Sequence, residues 1–135
     1  MGSLFALQGT SNCGKSETLN NVVKILSNKY PNADINIIIN RKDKKVIFYD
    51  INGLTVGIEP QGDPNSRLEE SLFDFSKESC DIIFCACRTS GMTVQWVNNL
   101  SKKYKINFIK QKIVYNNQKK SNWDMAESLI QLSGL

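Results

Sequence analysis

Residues 9–16 of this chain read GTSNCGKS, which matches the pattern G-x-x-x-x-G-K-[ST] at every defined position. A short apolar run at residues 4–7 precedes the loop, and a segment with helical spacing follows from residue 17 to residue 27. The glycines allow backbone angles at which consecutive N–H groups turn inward around an anion. A helix that starts at the loop adds the positive end of its dipole at the same point. The strand, the loop and the helix together predict a phosphate-binding loop.

The pattern predicts which ligand group each residue of this loop contacts. Lys15 would reach the β- and γ-phosphates of a nucleotide, and the Ser16 hydroxyl would bind Mg²⁺. The predicted ligand is therefore a nucleoside triphosphate together with Mg²⁺. The residues predicted to contact the nucleotide lie along the loop and the start of the helix: Gly9, Ser11, Asn12, Cys13, Gly14, Lys15, Ser16 and Glu17.

On these residues the chain resembles the P-loop NTPase superfamily. The resemblance rests on residues 4–27 and, beyond them, on the order of the predicted elements. It implies a three-layer α/β fold in which ATP or GTP binds at the ends of the parallel strands. The topology is similar to that of the small GTPase and kinase-like branch.

Length and composition limit the architecture and the setting. At 135 residues we expect a single nucleotide-binding domain spanning residues 1–135. No apolar run reaches the roughly 18 residues that a membrane span needs, so we expect no membrane partner. Four cysteines and no histidine argue against a zinc site and fit a reducing cytosol, so we expect a cytoplasmic protein.

Charge gives weaker guidance about partners. The net charge is +4, and basic residues gather at residues 41–45, 102–105 and 119–120. A nucleic-acid face and an ordinary solvated surface both produce such clusters. These clusters are short, so nucleic acid is the less favoured partner. A protein partner or a homo-oligomer stays open.

Hydrophobic periodicity along the rest of the chain predicts alternating strands and helices. β-Branched runs and an Asn-Gly turn at residues 52–53 predict an antiparallel meander over residues 35–59 within an otherwise mostly parallel sheet. The apolar run at residues 81–87 predicts a central strand covered on both faces. The predicted strands cover residues 4–8, 35–39, 46–49, 54–59, 81–87 and 106–115, and the predicted helices cover residues 16–29, 68–75, 93–104 and 123–132.

A phosphate-binding loop of this kind needs an acidic group to fix Mg²⁺, usually at the end of a neighbouring strand. Asp50 follows an apolar strand but is better explained as the start of the hairpin turn. Glu59 begins Glu-Pro-Gln-Gly, which resembles the Asp-x-x-Gly switch of small GTPases with glutamate in place of aspartate, and Asp63 lies in the same loop. We predict that one of these two carboxylates binds the metal or its waters and the other orients the nucleophile. A helix cap is the alternative for Asp63. The predicted metal ligands are Ser16, Glu59 and Asp63.

Two of the three arginines flank this predicted site. Arg88 ends the central strand, so its guanidinium points to the ligand edge, where it suits the charge that develops on a γ-phosphate. Arg67 is a second candidate on the helix after the acidic loop, and both arginines could instead form surface ion pairs. The predicted catalytic residues are Lys15, Glu59, Asp63 and Arg88.

The base of the nucleotide is not specified by a motif. GTPases carry Asn-Lys-x-Asp late in the chain, whereas the nearest match here, Asn-Arg-Lys-Asp at residues 40–43, lies early and in a predicted turn. Guanine specificity has no support in these residues, so ATP is the expected nucleotide and GTP the second choice.

Together these features predict a Mg-ATP-dependent NTPase or small phosphotransferase that transfers the γ-phosphoryl group to water or to a small acceptor. The alternative is a nucleotide-dependent switch with little turnover of its own. In that case the loop at residues 59–63 orders around the γ-phosphate and presents a surface to a protein partner. ATP-driven handling of nucleic acid is the third and weakest interpretation.

Overall fold

Four parallel strands and an antiparallel pair form one six-stranded sheet in a computed structural model that describes residues 1–11 and 13–135. The strand order is β2-β3-β4-β5-β1-β6, with β4, β5, β1 and β6 parallel. The predicted α/β fold with an antiparallel meander is therefore confirmed. The elements are β1 (Gly2–Gln8), α1 (Lys15–Lys29), β2 (Asp34–Ile39), β3 (Lys45–Ile51), β4 (Leu54–Glu59), α2 (Leu68–Lys77), β5 (Ile82–Cys87), α3 (Met92–Asn98), β6 (Tyr104–Lys110) and α4 (Gln118–Ser133).

Helices cover both faces of the sheet, which produces the three expected layers. Successive residues of a strand point to opposite faces, so β1 and β5 supply both cores. Phe5 and Phe84 stack at 5.6 Å on the face that α1 and α4 cover, while Leu4 and Cys85 lie on the face that α2 and α3 cover. Each large apolar side chain buried here stabilises the fold by about 1.5–3 kcal/mol relative to an exposed one.

The register of the parallel strands brings four loops to one edge of the sheet. Gln8, the last residue of β1, lies beside Cys87 of β5 and Lys110 of β6. Glu59, the last residue of β4, lies beside Cys85 of β5. The loops that follow these strands therefore open together at the carboxyl edge, where ligands of parallel α/β sheets bind. Because β5 lies between β1 and β4, the phosphate loop and the loop after Glu59 are separated by one strand.

The hairpin between β3 and β4 confirms the Asn-Gly turn. Asn52 and Gly53 both have positive φ, 52° and 81°, and Ile51 pairs with Leu54 across them. Two consecutive positive φ angles characterise the turn that fits the twist of a two-residue hairpin. Asp50 lies within β3, at the register irregularity between Phe48 and Ile51 and with φ 61°, and not at the start of the turn as predicted. Since β3 runs antiparallel to β4, Asp50 lies at the opposite end of the strands from the phosphate loop.

The predicted boundaries at the end of α3, at both ends of β6 and at the start of α4 were wrong. α3 ends at Asn98 and β6 already begins at Tyr104, because Tyr104 pairs with Gly2 and its buried hydroxyl donates to the Cys80 carbonyl at 2.6 Å. β6 ends at Lys110 rather than at residue 115. α4 begins at Gln118, since its first turn is exposed and needs no apolar residue to form. Among the described residues, no helix has the length and apolar character to cross a bilayer.

Candidate nucleotide site

The phosphate loop joins β1 to α1, and its geometry depends on Gly14. Gly14 precedes the helix with φ 98° and ψ 6°, a left-handed conformation that favours glycine. A Cβ atom at this position would also lie 2.8 Å from the Asn122 Oδ1 atom of α4. Both the turn and the close approach of α4 therefore require glycine. Gly9, at the other end of the loop, is packed against the Cys13 side chain.

Lys15 is held at the base of the loop. Its side chain is buried, with 6% of the residue exposed, and its Nζ atom donates to the Gly9 carbonyl at 2.5 Å and to the Cys87 carbonyl at 3.1 Å. Burial lowers the pKa of Lys15 below its ordinary value of 10.5, while the nearby Asp63 carboxylate opposes this shift. The ammonium therefore lies at the strand ends in a site that favours a neighbouring anion.

A cavity of about 530 Å³ opens directly above this lysine. Its size falls within the range of small-molecule sites. It brings together six residues that were predicted from three separate parts of the chain, namely Cys13, Gly14, Lys15, Ser16, Asp63 and Arg88. The remaining lining residues are Lys42, Asp43, Pro60, Gln61, Gly62, Pro64, Asn65 and Ser66.

Asp63 and Arg88 form an ion pair at the mouth of the cavity. Arg88 Nε donates to Asp63 Oδ1 at 2.9 Å, and the side chains are 34% and 55% exposed. An exposed pair of this kind contributes only about 0–1 kcal/mol, so a ligand can displace it at little cost. The Asp63 carboxylate does not cap α2, because the first amide of the helix, Leu68 N, donates to Ser66 Oγ at 3.2 Å. The helix-cap alternative for Asp63 is therefore excluded.

Glu59 has a different environment from Asp63. It is fully buried, and its two oxygens accept four hydrogen bonds: Arg67 Nε at 2.7 Å and Ser71 Oγ at 2.5 Å on Oε1, and Gln61 N at 3.0 Å and Arg67 Nη2 at 3.1 Å on Oε2. A metal ion could reach this carboxylate only by displacing these donors. Its assignment as a metal ligand stays a prediction that these contacts do not favour.

The Arg67 guanidinium donates its hydrogen bonds to Glu59 and to the Asp43 carbonyl. Besides its two bonds to Glu59, its Nη2 atom donates to the Asp43 carbonyl at 2.5 Å. Arg67 thus connects β4 to the turn between β2 and β3 instead of lining the cavity. Its interpretation as an ion-pair residue fits these contacts better than its interpretation as a phosphate ligand.

Lys42 and Asp43 also line the cavity, although no sequence motif marked them as site residues. They lie in the turn between β2 and β3, where the Asp43 carboxylate accepts a hydrogen bond from Asn20 Nδ2 of α1 at 3.1 Å. The predicted meander could have identified both residues, because it places the turn between β2 and β3 beside the end of β4. A turn before an antiparallel strand lies at the same edge as the end of the next strand.

A buried polar network on the other side of the loop was also missed. Asn122 Nδ2 donates to Glu17 Oε2 at 2.8 Å, and Gln111 Nε2 donates to Asn122 Oδ1 at 2.8 Å. Thr18 Oγ1 donates to Gln111 Oε1 at 3.0 Å, which completes a chain from α1 to α4. Each of these residues lies next to the phosphate loop, so the network holds the loop against α4. No local sequence pattern marks such a contact.

A second cavity of about 300 Å³ adjoins this network. It shares Cys13 and Gly14 with the larger cavity, so the two spaces meet at the phosphate loop. Its other lining residues are Glu17, Lys112, Ile113, Val114, Gln118 and Asn122. Apolar side chains and amide groups together can hold a flat, polar-edged ring.

The remaining residues predicted to contact the nucleotide have different surroundings. Ser16 Oγ donates to the Pro60 carbonyl at 3.2 Å, which links α1 to the loop after β4. Ser11 is exposed, and Glu17 is engaged by Asn122. Asn12, also predicted to contact the nucleotide, lies outside the described residues.

The fold and the loop define a P-loop nucleotide-binding protein. A model of the family described as 50S ribosome-binding GTPase matches residues 4–120. This match covers most of the chain, and the chain belongs to that family. Comparisons with curated proteins and with solved structures found no match.

Proposed function

We propose that this protein binds GTP with Mg²⁺ and hydrolyses its γ-phosphate. The observation that carries the proposal is the 530 Å³ cavity in which Lys15, Ser16, Asp63 and Arg88 converge on the phosphate loop. The family match supports GTP, whereas the expectation of ATP rested only on a missing Asn-Lys-x-Asp motif. We therefore place GTP before ATP.

Lys15 and the loop amides bind the polyphosphate in this proposal. The ammonium has two carbonyl partners and no carboxylate bonded to it, so it can donate to β- and γ-phosphate oxygens. Phosphate oxygens beside Lys15 would raise its pKa back towards the ordinary value. The α1 dipole acts in the same direction on the bound anion.

The residues present fit a magnesium ion held mainly by phosphate. Among the described residues, no three acidic or cysteine side chains cluster as an all-protein metal site. Mg²⁺ commonly takes only one or two protein oxygens beside substrate phosphates and water. Ser16 Oγ and the half-exposed Asp63 carboxylate are the oxygens on the cavity wall that we assign to this role. The ion would neutralise part of the phosphate charge.

Glu59 is assigned a positioning role. Through its bond to the Gln61 amide it fixes the start of the loop that carries Asp63. Arg88, once released from Asp63, would donate to γ-phosphate oxygens as negative charge develops on them. Water is the proposed phosphoryl acceptor, and the Asp63 carboxylate orients it directly or through the metal.

Turnover and the role of Asp63 are tested together. Phosphate release from Mg·GTP is expected to fall about 100-fold in Asp63→Asn, with a higher Mg²⁺ requirement, because the variant removes one charge at the reacting centre. Asp124→Asn is the matched control, since Asp124 pairs with Lys120 on an exposed helix face. Phosphate release is followed with a phosphate sensor over a Mg²⁺ series. Equal rates in wild type and Asp63→Asn would overturn the assignment of Asp63.

Phosphate release, combined with hydrogen exchange, distinguishes a hydrolase from the nucleotide-dependent switch. The exposed loop at residues 63–66 lines the cavity, so its order could respond to the γ-phosphate. A switch would bind GTP without releasing phosphate and would show lower hydrogen exchange in this loop with a non-hydrolysable GTP analogue than with GDP.

The smaller cavity is the proposed site of the base. We expect wild type to bind GTP at least tenfold more tightly than ATP. Gln118→Ala is expected to lower this ratio of affinities, because the Gln118 amide lines the cavity and would form hydrogen bonds with the edge of the base. Inorganic tripolyphosphate is the control ligand, and its affinity is expected to stay unchanged. Affinities are measured by calorimetry. Tighter binding of ATP than GTP would reverse the choice of nucleotide without removing the phosphate site.

A further inference from the structure

One long segment of the chain contains no acidic residue. Residues 82–123 carry eight basic side chains, whereas the rest of the chain carries nine basic and thirteen acidic ones. The seven lysines of this segment are all exposed, and among the described residues only Lys120 forms an ion pair, with Asp124. They lie before β6, on β6, in the loop after it and in the first turn of α4. This uncompensated positive charge favours a polyanionic partner.

The edge strand β6 arranges these charges along a line. It bonds to β1 on one side, and the strand order of the described residues places no strand on the other. Because side chains alternate between the two faces of a strand, Lys105 and Lys110 border the open edge from opposite faces. Lys103 precedes the strand and Lys112 follows it. Basic groups thus follow the whole length of the edge, as a surface that binds a chain of phosphates requires.

Exposed aromatic side chains alternate with these lysines. Phe108, 39% exposed, lies on the same face of β6 as Lys110. Tyr115 is 92% exposed in the loop after β6, and Trp123, 38% exposed, follows Lys119 by one turn of α4. Bases stack on rings of this kind whatever their sequence, whereas an acidic protein surface offers single rings no comparable partner. The aromatic residues therefore favour nucleic acid over an acidic protein.

A groove of about 420 Å³ continues this surface between the loop after β6 and α4. Lys112, Lys120, Asn116 and Asn117 line it, and its acidic lining residue, Asp124, is bonded to Lys120. The asparagine amides both donate and accept hydrogen bonds, which suits the 2′-hydroxyl of a ribose. Lys112 also lines the smaller cavity beside the phosphate loop, so the groove adjoins the nucleotide site.

We propose that the open edge of β6 and the groove after it form a binding face for single-stranded RNA. Lysines bind phosphates as point charges, and the one arginine of the segment, Arg88, lies in the nucleotide cavity. Binding therefore rests on phosphate contacts and base stacking, without sequence specificity. This proposal does not depend on nucleotide binding or turnover.

Fluorescence anisotropy of a labelled oligouridine of about 12 nucleotides tests the proposal with the full chain. The logarithm of the affinity is expected to fall against the logarithm of the salt concentration with a slope of about −2 to −3, the value for three or four phosphate contacts on a single strand. An oligodeoxyuridine of the same length is expected to bind at least about threefold more weakly, because it lacks the 2′-hydroxyl.

Two variants separate the phosphate contacts from the stacking contacts. Lys105→Ala combined with Lys110→Ala is expected to make the salt slope shallower by about 1.4, because two phosphate contacts are lost. Tyr115→Ala is expected to weaken binding about fivefold or more while the slope stays the same. Lys77→Ala is the matched control, because Lys77 is an exposed lysine on α2, away from β6. All variants should still bind GTP, since none of these residues lines the nucleotide cavities.

Several results would contradict the RNA-binding face. Wild type that does not bind oligouridine, or binds it without salt dependence, would overturn the proposal. So would a slope that the double lysine variant leaves unchanged, an affinity that Tyr115→Ala leaves unchanged, or an equal loss in Lys77→Ala. Polyglutamate that competes as strongly as RNA would indicate an acidic protein partner instead, and equal affinity for oligodeoxyuridine would overturn the choice of RNA.

Discussion

Lys15→Ala is expected to weaken Mg·GTP binding by about 100-fold or more, because losing one partner of a desolvated charge contact costs about 2–5 kcal/mol. The Lys15 ammonium is buried at the base of the phosphate loop, where it donates to the Gly9 and Cys87 carbonyls. Fluorescence titration with a labelled GTP analogue measures the loss. An unchanged affinity would refute the nucleotide assignment.

Two comparisons make the Lys15 result interpretable. Lys42→Ala removes a lysine that lines the same cavity from an exposed turn, and it is expected to change affinity only a few-fold. The second comparison is stability against pH. Because burial lowers the pKa of Lys15 in the folded state, the unfolded chain holds this proton more tightly. The buried thiols of Cys80, Cys85 and Cys87, whose pKa values are raised, lower the stability of both chains as pH rises above 9. The stability of wild type relative to Lys15→Ala should therefore rise as pH approaches 10.5, and Lys15→Ala should stay folded at neutral pH.

Glu59→Ala is expected to lower the free energy of unfolding by about 3–5 kcal/mol, the usual cost of removing one partner of a buried ion pair. The substitution leaves the Arg67 guanidinium, 16% exposed, without its carboxylate and leaves Ser71 and the Gln61 amide without an acceptor. Urea denaturation measures the change. A loss below about 1 kcal/mol would mean that the fold does not depend on this carboxylate, and would favour the metal role.

A double-variant cycle identifies the source of the Glu59 effect. Glu59→Met combined with Arg67→Met removes both charges and is expected to recover much of the stability lost in Glu59→Met alone. Asp124→Ala is the surface control and should change stability by less than about 1 kcal/mol, because Asp124 and Lys120 are both exposed.

Local patterns predicted most of the architecture. The Asn-Gly turn and the loop at residues 9–16 each depend on the conformational freedom of nearby glycines, and the central strand on an unbroken apolar run. The convergence of Lys15, Asp63 and Arg88 followed from one general rule, that parallel strands end at the same edge. The boundary between α3 and β6 did not follow, since pairing of Tyr104 with Gly2 and burial of its hydroxyl outweighed helical spacing.

The assignment of the two carboxylates needed the packed structure. In the sequence, both Glu59 and Asp63 are candidate metal ligands. In the structure, Arg67, Ser71 and the Gln61 amide donate hydrogen bonds to Glu59 only. The two carboxylates differ in burial because Glu59 ends a strand that α2 covers, whereas Asp63 lies in the exposed loop after that strand.

A short run of neighbouring residues was enough to predict the phosphate loop, because its backbone turn, its lysine and its helix start all lie within a few positions of one another. Gln111 and Asn122, which pack that loop against α4, lie about a hundred residues away in the chain and meet it only when the sheet has closed. Contacts over such separations depend on the order of strands and the placement of helices, so only tertiary structure could decide them.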